Sequence, residues 1–377
     1  MFLIVKNHLF IILKSKESGL TKLHKMNISQ CTVTLTRTCN LRCAFCYAKR
    51  AEYSETDTIK YDDLKRIVDF CNEANVKYII FSGGEPTLYP HILDILEYIK
   101  IRKYKMQPTI ATNGIMLKDI DFCKNIIEKG MSYIDISLKG KNSTECCEIV
   151  GSDCFFQQSA AIRNLSSLPI DFTCSMVLTH DNVFSLCDTV NNAIENGAKQ
   201  FSFTFLIDNE KTKDPEEVYL QKTNPFALID AFCSQIDKLN SITKEWWIEY
   251  SFPMCAFTSE QLAVLDGRLA YPCQIHTESG IIFDTNLNLI PCSMYIENRI
   301  GKFGVDFSSY KEFEKIAQES IYRSTIDGLK QYPSDNCKSC EHLDFCYGGC
   351  PVLWKNYSYD AFIKCKKEYY FHKKYRI

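Results

Sequence analysis

CTVTLTRTCNLRCAFCY, residues 31–47, runs from a β-rich segment straight into three cysteines, Cys39, Cys43 and Cys46, spaced C-x3-C-x2-C. The first six residues read as a strand, so the cysteine loop lies at that strand's carboxyl end. The next β-rich run, KYIIFS at 77–82, ends in Gly83-Gly84-Glu85-Pro86. QPTIAT (107–112), SYIDISL (132–138), DFTCSMVLT (171–179) and QFSFTFLI (200–207) repeat the pattern. Between them, stretches such as YDDLKRIVDFCNEAN carry apolar residues at three- and four-residue steps and read as helices. Six β/α units predict a parallel sheet, either a partial barrel or an open doubly wound sheet. Both put functional loops at the carboxyl ends of strands.

The chain has 377 residues, which suits one barrel plus an appendage. Hydrophobic residues at 46% and charged residues at 24% exclude disordered and fibrous classes. Lys and Arg (44) balance Asp and Glu (46), leaving no electrostatic footprint for nucleic acid or an anionic membrane. The 24 Phe and 21 Tyr, without a basic stripe, read as core and not as base-stacking surface. MFLIVKNHLFIILK at the start is broken by Lys6, His8 and Lys14, too short for a span, and reads as strands. No signal-peptide pattern accompanies it, and the expectation is a cytoplasmic protein. The rhythm of β/α units stops after residue 208, at the charged run NEKTKDPEEVY. The expected division is an N-terminal strand extension at 1–28, a core at 29–215 and a linker with a Cys-rich region at 216–377.

Twenty cysteines in a reducing compartment point to metal rather than disulfides. Three thiolates in the 39–46 loop can hold a [4Fe-4S] cube and leave one iron open. The competing reading is zinc, closed by distant ligands. A second group, CKSCEHLDFCYGGC at 337–350, spaces Cys337, Cys340, Cys346 and Cys350 as C-x2-C-x5-C-x3-C, with Cys365 beyond. On spacing alone these too are compatible with zinc knuckles.

The C-x3-C-x2-C run with aromatic Tyr47 after its last cysteine resembles the signature of the radical S-adenosylmethionine (SAM) superfamily. Gly83-Gly84-Glu85-Pro86 resembles that family's GGEP motif, which contacts the SAM amino group. In physical terms the glycines would admit a closely approaching ligand, Pro86 would fix the turn, and Glu85 would accept from a cation. The resemblance also implies SAM-binding positions at Asn113 and Ser137, at the ends of the third and fourth strands, at Arg163 on the following helix and, more remotely, at Ser175. The second cysteine group resembles the SPASM appendage of one radical SAM branch, which holds two auxiliary [4Fe-4S] clusters. That resemblance assigns Cys337, Cys340, Cys346 and Cys365 to one cluster and Cys273, Cys292 and Cys350 to the other, with Cys255 in SFPMCAF completing it. The segment CQIHTES offers His276 but no further cysteine. The expected cofactors are therefore three [4Fe-4S] clusters and SAM. The family's hairpin glycine before Cys292 is replaced by Leu287, with Asn286 beside it as the residue able to adopt the left-handed turn. Nine other cysteines (31, 71, 123, 146, 147, 154, 174, 187 and 233) are expected as small buried hydrophobes.

The expected fold is thus α/β, a partial (β/α)6 TIM-like barrel with a C-terminal Cys-rich SPASM domain. The resemblance implies a radical SAM oxidoreductase that cleaves SAM to a 5'-deoxyadenosyl radical and takes hydrogen from a peptide or protein, leaving a thioether or carbon-carbon cross-link. It further implies a low-potential donor such as flavodoxin or ferredoxin and a separate leader-binding protein. A small-molecule substrate is the rival. Sulfatase maturation is disfavoured by Ser293, where such relatives carry an acidic residue. A non-enzymatic metal carrier is the rival from another class.

Overall fold

The computed structural model describes residues 27–50, 54, 56–207, 224–249, 252–270, 273–331 and 333–375. The strand extension expected near the N-terminus, the charged linker and the boundary at 215 lie outside the described residues, apart from residues 27 and 28.

Six strands stand where the sequence places them: β1 (Gln30–Thr36), β2 (Tyr78–Gly83), β3 (Gln107–Thr112), β4 (Tyr133–Ser137), β5 (Asp171–Leu178) and β6 (Phe201–Phe205). All pair in parallel with their sequence neighbours. The crossover helices α1 (Tyr61–Glu73), α2 (Ile92–Ile101), α3 (Ile120–Glu128), α4 (Ser143–Val150), α5 (Phe155–Ser166) and α6 (Leu186–Glu195) connect them. Each helix buries one apolar stripe, as with Leu64, Ile67, Val68 and Cys71 of α1.

The sheet goes beyond six strands. Trp246–Ile248 (β7) adds in parallel beside β6, and Gly280–Phe283 (β8) pairs in parallel with β1 at the other edge. Asn288–Ile290 (β9) and Gly301–Lys302 (β10) then extend that edge antiparallel. The strand order is β10-β9-β8-β1-β2-β3-β4-β5-β6-β7, so the start of the Cys-rich region is built onto the same sheet. Phe70 of α1 meets Phe283, Phe303, Phe307 and Phe313 edge-on or tilted at 5.7–5.9 Å, which seals the junction.

The β8–β9 hairpin departs from expectation. Leu287 itself takes the left-handed conformation, φ +65°, at the position where the family carries glycine. Asp284 offsets the strain. Its fully buried carboxylate accepts from the backbone N–H of Asn286 and Asn288 and from Asn288 Nδ2, all at 2.8 Å.

Candidate active site and metal centres

The first cysteine loop is held on three sides. Leu41 packs against Ile149 and Val150, while the N–H groups of Arg42 and Ala44 donate to the carbonyls of Val150 and Ile149 at 2.9 Å. The end of α4 is thereby capped by the loop it supports. On the other side Gly84 N donates to Thr36 O at 2.7 Å and Glu85 N to Thr38 O at 2.8 Å. This zips the Gly-Gly turn to the residues leading into Cys39. A Cβ on Gly83, where φ is +147°, would lie 2.3 Å from Thr36 O, and one on Gly84 would lie 2.4 Å from the carbonyl oxygens of Arg37 and Thr38. The two glycines are required by the approach of one protein segment to another, a different reason from the ligand approach expected of them.

Glu85 also plays another part than expected. It is 1% exposed, and its carboxylate is saturated. Oε1 accepts from Thr87 N (3.0 Å), Thr87 Oγ1 (2.5 Å) and Thr112 Oγ1 (2.7 Å), and Oε2 from Asn113 N (2.7 Å). The side chain ties the end of β2 to the end of β3. Pro86 opens the short helical turn Pro86–Leu88.

Asn113 reaches the cysteine loop directly, its Nδ2 donating to Asn40 Oδ1 at 2.7 Å. Ser137 Oγ accepts from Lys139 Nζ at 2.6 Å. Lys139 stands over the Phe45 ring and pulls the Cys43 thiol downward, against the burial that pushes Cys39 and Cys43 up. Gln158 of α5 donates to Asn113 O (2.7 Å) and Ser137 O (2.8 Å), clamping the ends of β3 and β4 together. Neither Lys139 nor Gln158 stood out in the sequence. Position two beyond Ser137 at a strand end was the available signal for Lys139, whereas nothing local marks Gln158. Burial pushes the Tyr47 hydroxyl up, while Arg37 and the side chains of Ser82 and Ser293 oppose the shift.

Arg163 is not brought to this site. It sits in the last turn of α5, at the rim away from the cysteine loop, exposed and bonded to Asn196 Oδ1. A crossover helix returns toward the amino ends of the strands, so its last turn points away from the carboxyl ends. Ser175 donates to Asp135 Oδ2 at 3.0 Å, inside the sheet. Burial and the neighbouring Glu249 push the Asp135 carboxyl up to about 8.

In the C-terminal region Cys273, Cys292 and Cys350 act on one another electrostatically and pack around Ile275, Tyr295 and Val352. Burial raises all three, Cys273 to about 12. His276 joins them, its Nδ1 3.4 Å from Cys273 Sγ and its ring stacked on Tyr347. Cys255 does not. It acts with Cys337 and Cys346, and the preceding residue Met254 donates its N–H to Cys346 Sγ at 3.3 Å. Cys340 acts on Cys337. The Cys365 thiol, by contrast, answers to its own burial and to Glu368. The expected grouping is therefore corrected: Cys255 stands with the Cys337 group and not with Cys273, because the turn at 253–256 lies against the loop at 346–349. Of the nine remaining cysteines, seven are buried, Cys233 is half-buried and Cys147 is exposed.

These thiols suit a positively charged group. Buried thiolates that repel one another are stabilised only by a cation among them, and iron-sulfur clusters take such thiolate sets. Among the described residues no three Cys, His, Asp or Glu side chains meet in the geometry of a single-ion site. No helix among the described residues is long and apolar enough to cross a membrane.

The family model for the radical SAM superfamily matches residues 33–193. The chain is 33% identical over 110 residues to the Fe-coproporphyrin III synthase of Methanosarcina barkeri, covering 29% of this chain and 27% of that protein. It is 24% identical over 259 residues to the probable GTP 3',8-cyclase of Sulfurisphaera tokodaii, covering 64% and 80%. With the subtilosin biosynthesis protein AlbA of Bacillus subtilis it shares 27% over 186 residues, covering 48% and 40%. The match thus spans well under half of the first and third of these proteins. The fold is that of native anSMEcpe with bound AdoMet (TM-score 0.65, 20% identity, 91% of this chain and 97% of that one). Streptococcus suis SuiB bound to precursor peptide SuiA is similar (TM-score 0.62, 18% identity, 87% and 72%). With both the cysteine loop and the Gly-Gly-Glu-Pro turn inside the matched stretch, residues 33–193 carry a radical SAM domain.

Proposed function

We propose that this enzyme uses SAM to take a hydrogen atom from a peptide or protein substrate and so completes an oxidative post-translational modification. The observation that carries this reading is the zipped pair of motifs at the carboxyl ends of β1 and β2, with the Cys-rich region built onto the neighbouring strand β8. Cys39, Cys43 and Cys46 would hold the [4Fe-4S] cluster, which when bound supplies the electron that splits SAM into methionine and a 5'-deoxyadenosyl radical. The backbone of Gly83–Pro86, with Asn113, Ser137 and Tyr47, would orient SAM. Lys139 acts on the Cys43 thiol in the direction that favours its thiolate. We assign the C-terminal region as a SPASM domain with two auxiliary clusters, one near Cys273, Cys292 and Cys350 and one near Cys337, Cys340 and Cys346, to carry away the second electron. A low-potential flavodoxin or ferredoxin would supply the first, and a separate protein would present the substrate's leader.

Peptide is favoured as substrate by the likeness to AlbA, a bacteriocin biosynthesis protein, and to the fold of SuiB bound to a precursor peptide. Relatives named as a GTP cyclase and a coproporphyrin synthase support the alternative, a small molecule. The test is 5'-deoxyadenosine release from SAM under dithionite, followed by mass spectrometry of candidate precursor peptides. Release that disappears in Cys43→Ala, together with a peptide losing two hydrogens, supports the reading. Release that small molecules stimulate and peptides leave unchanged overturns the peptide assignment.

A further inference from the structure

The inner face of the sheet carries a feature that SAM chemistry leaves unused. Strands β4 to β7 turn Ile134, Ile136, Cys174, Met176, Phe201, Phe203, Trp246 and Ile248 toward the helices, where they form the main core. The alternate residues therefore face the barrel interior. They are polar: Tyr133, Asp135 and Ser137 on β4, Thr173 and Ser175 on β5, Ser202 and Thr204 on β6, then Trp247 and Glu249 on and just after β7. The register puts Ser137, Ser175, Ser202 and Trp247 in one row.

Two carboxyl groups lie within this face, Asp135 at 3% and Glu249 at 5% exposure. They act on each other electrostatically across the interior. Thr204 Oγ1 approaches Glu249 Oε2 at 3.4 Å, and Ser175 takes Asp135 Oδ2, yet Asp135 Oδ1 is buried without a hydrogen-bond partner. Trp247 Nε1, in the same interior, is a second buried polar atom without one. The charged group of Lys139 is engaged by Ser137 at the strand ends. An unmet carboxyl oxygen and an unmet N–H donor in one interior are costly unless a ligand meets both, and a cation beside Asp135 would favour its ionised form. The ligand with matching chemistry carries a cation and a nearby acceptor. A lysine or arginine residue has an ammonium or guanidinium on a long stem and a peptide carbonyl at its root. Asp135 lies two residues below Ser137, about 7 Å down the strand, a depth such a stem can span.

We propose that the barrel interior is a cation subsite in which Asp135 and Glu249 receive the side chain of a lysine or arginine of the peptide substrate, while Trp247 donates to its backbone. This rests on the peptide reading above and names the residue the enzyme selects. The charge pair would be desolvated, the setting in which removing one partner costs most.

The test uses the reconstituted, SAM-loaded enzyme and three probes: acetyl-Gly-Lys-Gly-amide, its norleucine counterpart, and n-butylammonium, with dissociation constants from calorimetry at fixed ionic strength. The lysine tripeptide is expected to bind at least about tenfold more tightly than the norleucine one, and Asp135→Asn with Glu249→Gln to abolish that preference. Iron content and circular dichroism of each single variant check that it is folded. Equal affinity of the two tripeptides in the wild type, including no measurable binding of either alongside no binding of butylammonium, overturns the proposal without recourse to a variant. So does a preference that survives the double substitution. Carboxylate-dependent binding of butylammonium with none of the lysine tripeptide upholds the cation subsite and overturns the peptide reading instead.

Discussion

Glu85 shows how a motif residue can be right in position and different in role. Its sequence context suggested a group waiting for a cation, but four donors from three residues already saturate it. Glu85→Ala would leave Thr87, Thr112 and the Asn113 N–H facing a hole, at a cost of roughly 3 kcal/mol or more. A lower thermal midpoint in the reconstituted enzyme, accompanied by loss of SAM cleavage, is the expected result. If Glu85 served only to contact SAM, stability would stay unchanged. Gly84→Ala should be at least as damaging, since its Cβ would collide with two backbone carbonyls, and calorimetry of the variant checks this. Asp135 gives a pH signature. Its carboxyl binds a proton more tightly folded than unfolded, so stability falls as pH rises from about 4 through its raised pKa of about 8. Glu249 drives the shift after burial, while Ser175 and Lys139 oppose it. Asp135→Asn removes this penalty, and its thermal midpoint should exceed the wild type by more at pH 8 than at pH 5. A constant difference would mean that Asp135 does not titrate as its surroundings dictate.

At the scale of elements, what was legible was what alternates or repeats. Residues 107–112 form β3 with the very bounds of QPTIAT, because a β-rich run between a helix end and an Asn-Gly turn has few other options. β7 is not legible, since WWI is too short to show a period, and β8 lies in the Cys-rich region, beyond the end of the β/α rhythm. The hairpin turned on Leu287 and not on Asn286 because Asp284 supplies the hydrogen bonds that make a left-handed leucine tolerable. Cys255 was misgrouped for a related reason. Spacing describes neighbours in sequence, whereas the Met254 contact with Cys346 joins residues 92 apart. The corrected grouping predicts a pattern of iron contents. Adding Cys255→Ala to a chain already lacking Cys337 and Cys340 should leave the iron content unchanged. Adding it to a chain lacking Cys273 and Cys292 should lower iron further. The reverse pattern would restore the original assignment.

At the scale of the whole molecule, one sheet carries the first cysteine loop and the start of the Cys-rich region, and β8 beside β1 makes that start a continuation of the barrel edge rather than a tethered appendage. Tyr47, after the last cysteine of the first loop, answers electrostatically to Ser82 of β2 and to Ser293, next to Cys292. On the proposed reading, such continuity would suit electron movement between a cluster at the first loop and auxiliary clusters beyond it, without a moving domain. The most direct test of the account is iron and sulfide content, with zinc, after anaerobic reconstitution of the wild type and of a Cys39→Ala, Cys43→Ala, Cys46→Ala variant. Three clusters predict about 12 iron per chain, falling to about 8 in the variant. Zinc with little or no iron, or iron that does not fall when the three cysteines are removed, would contradict it.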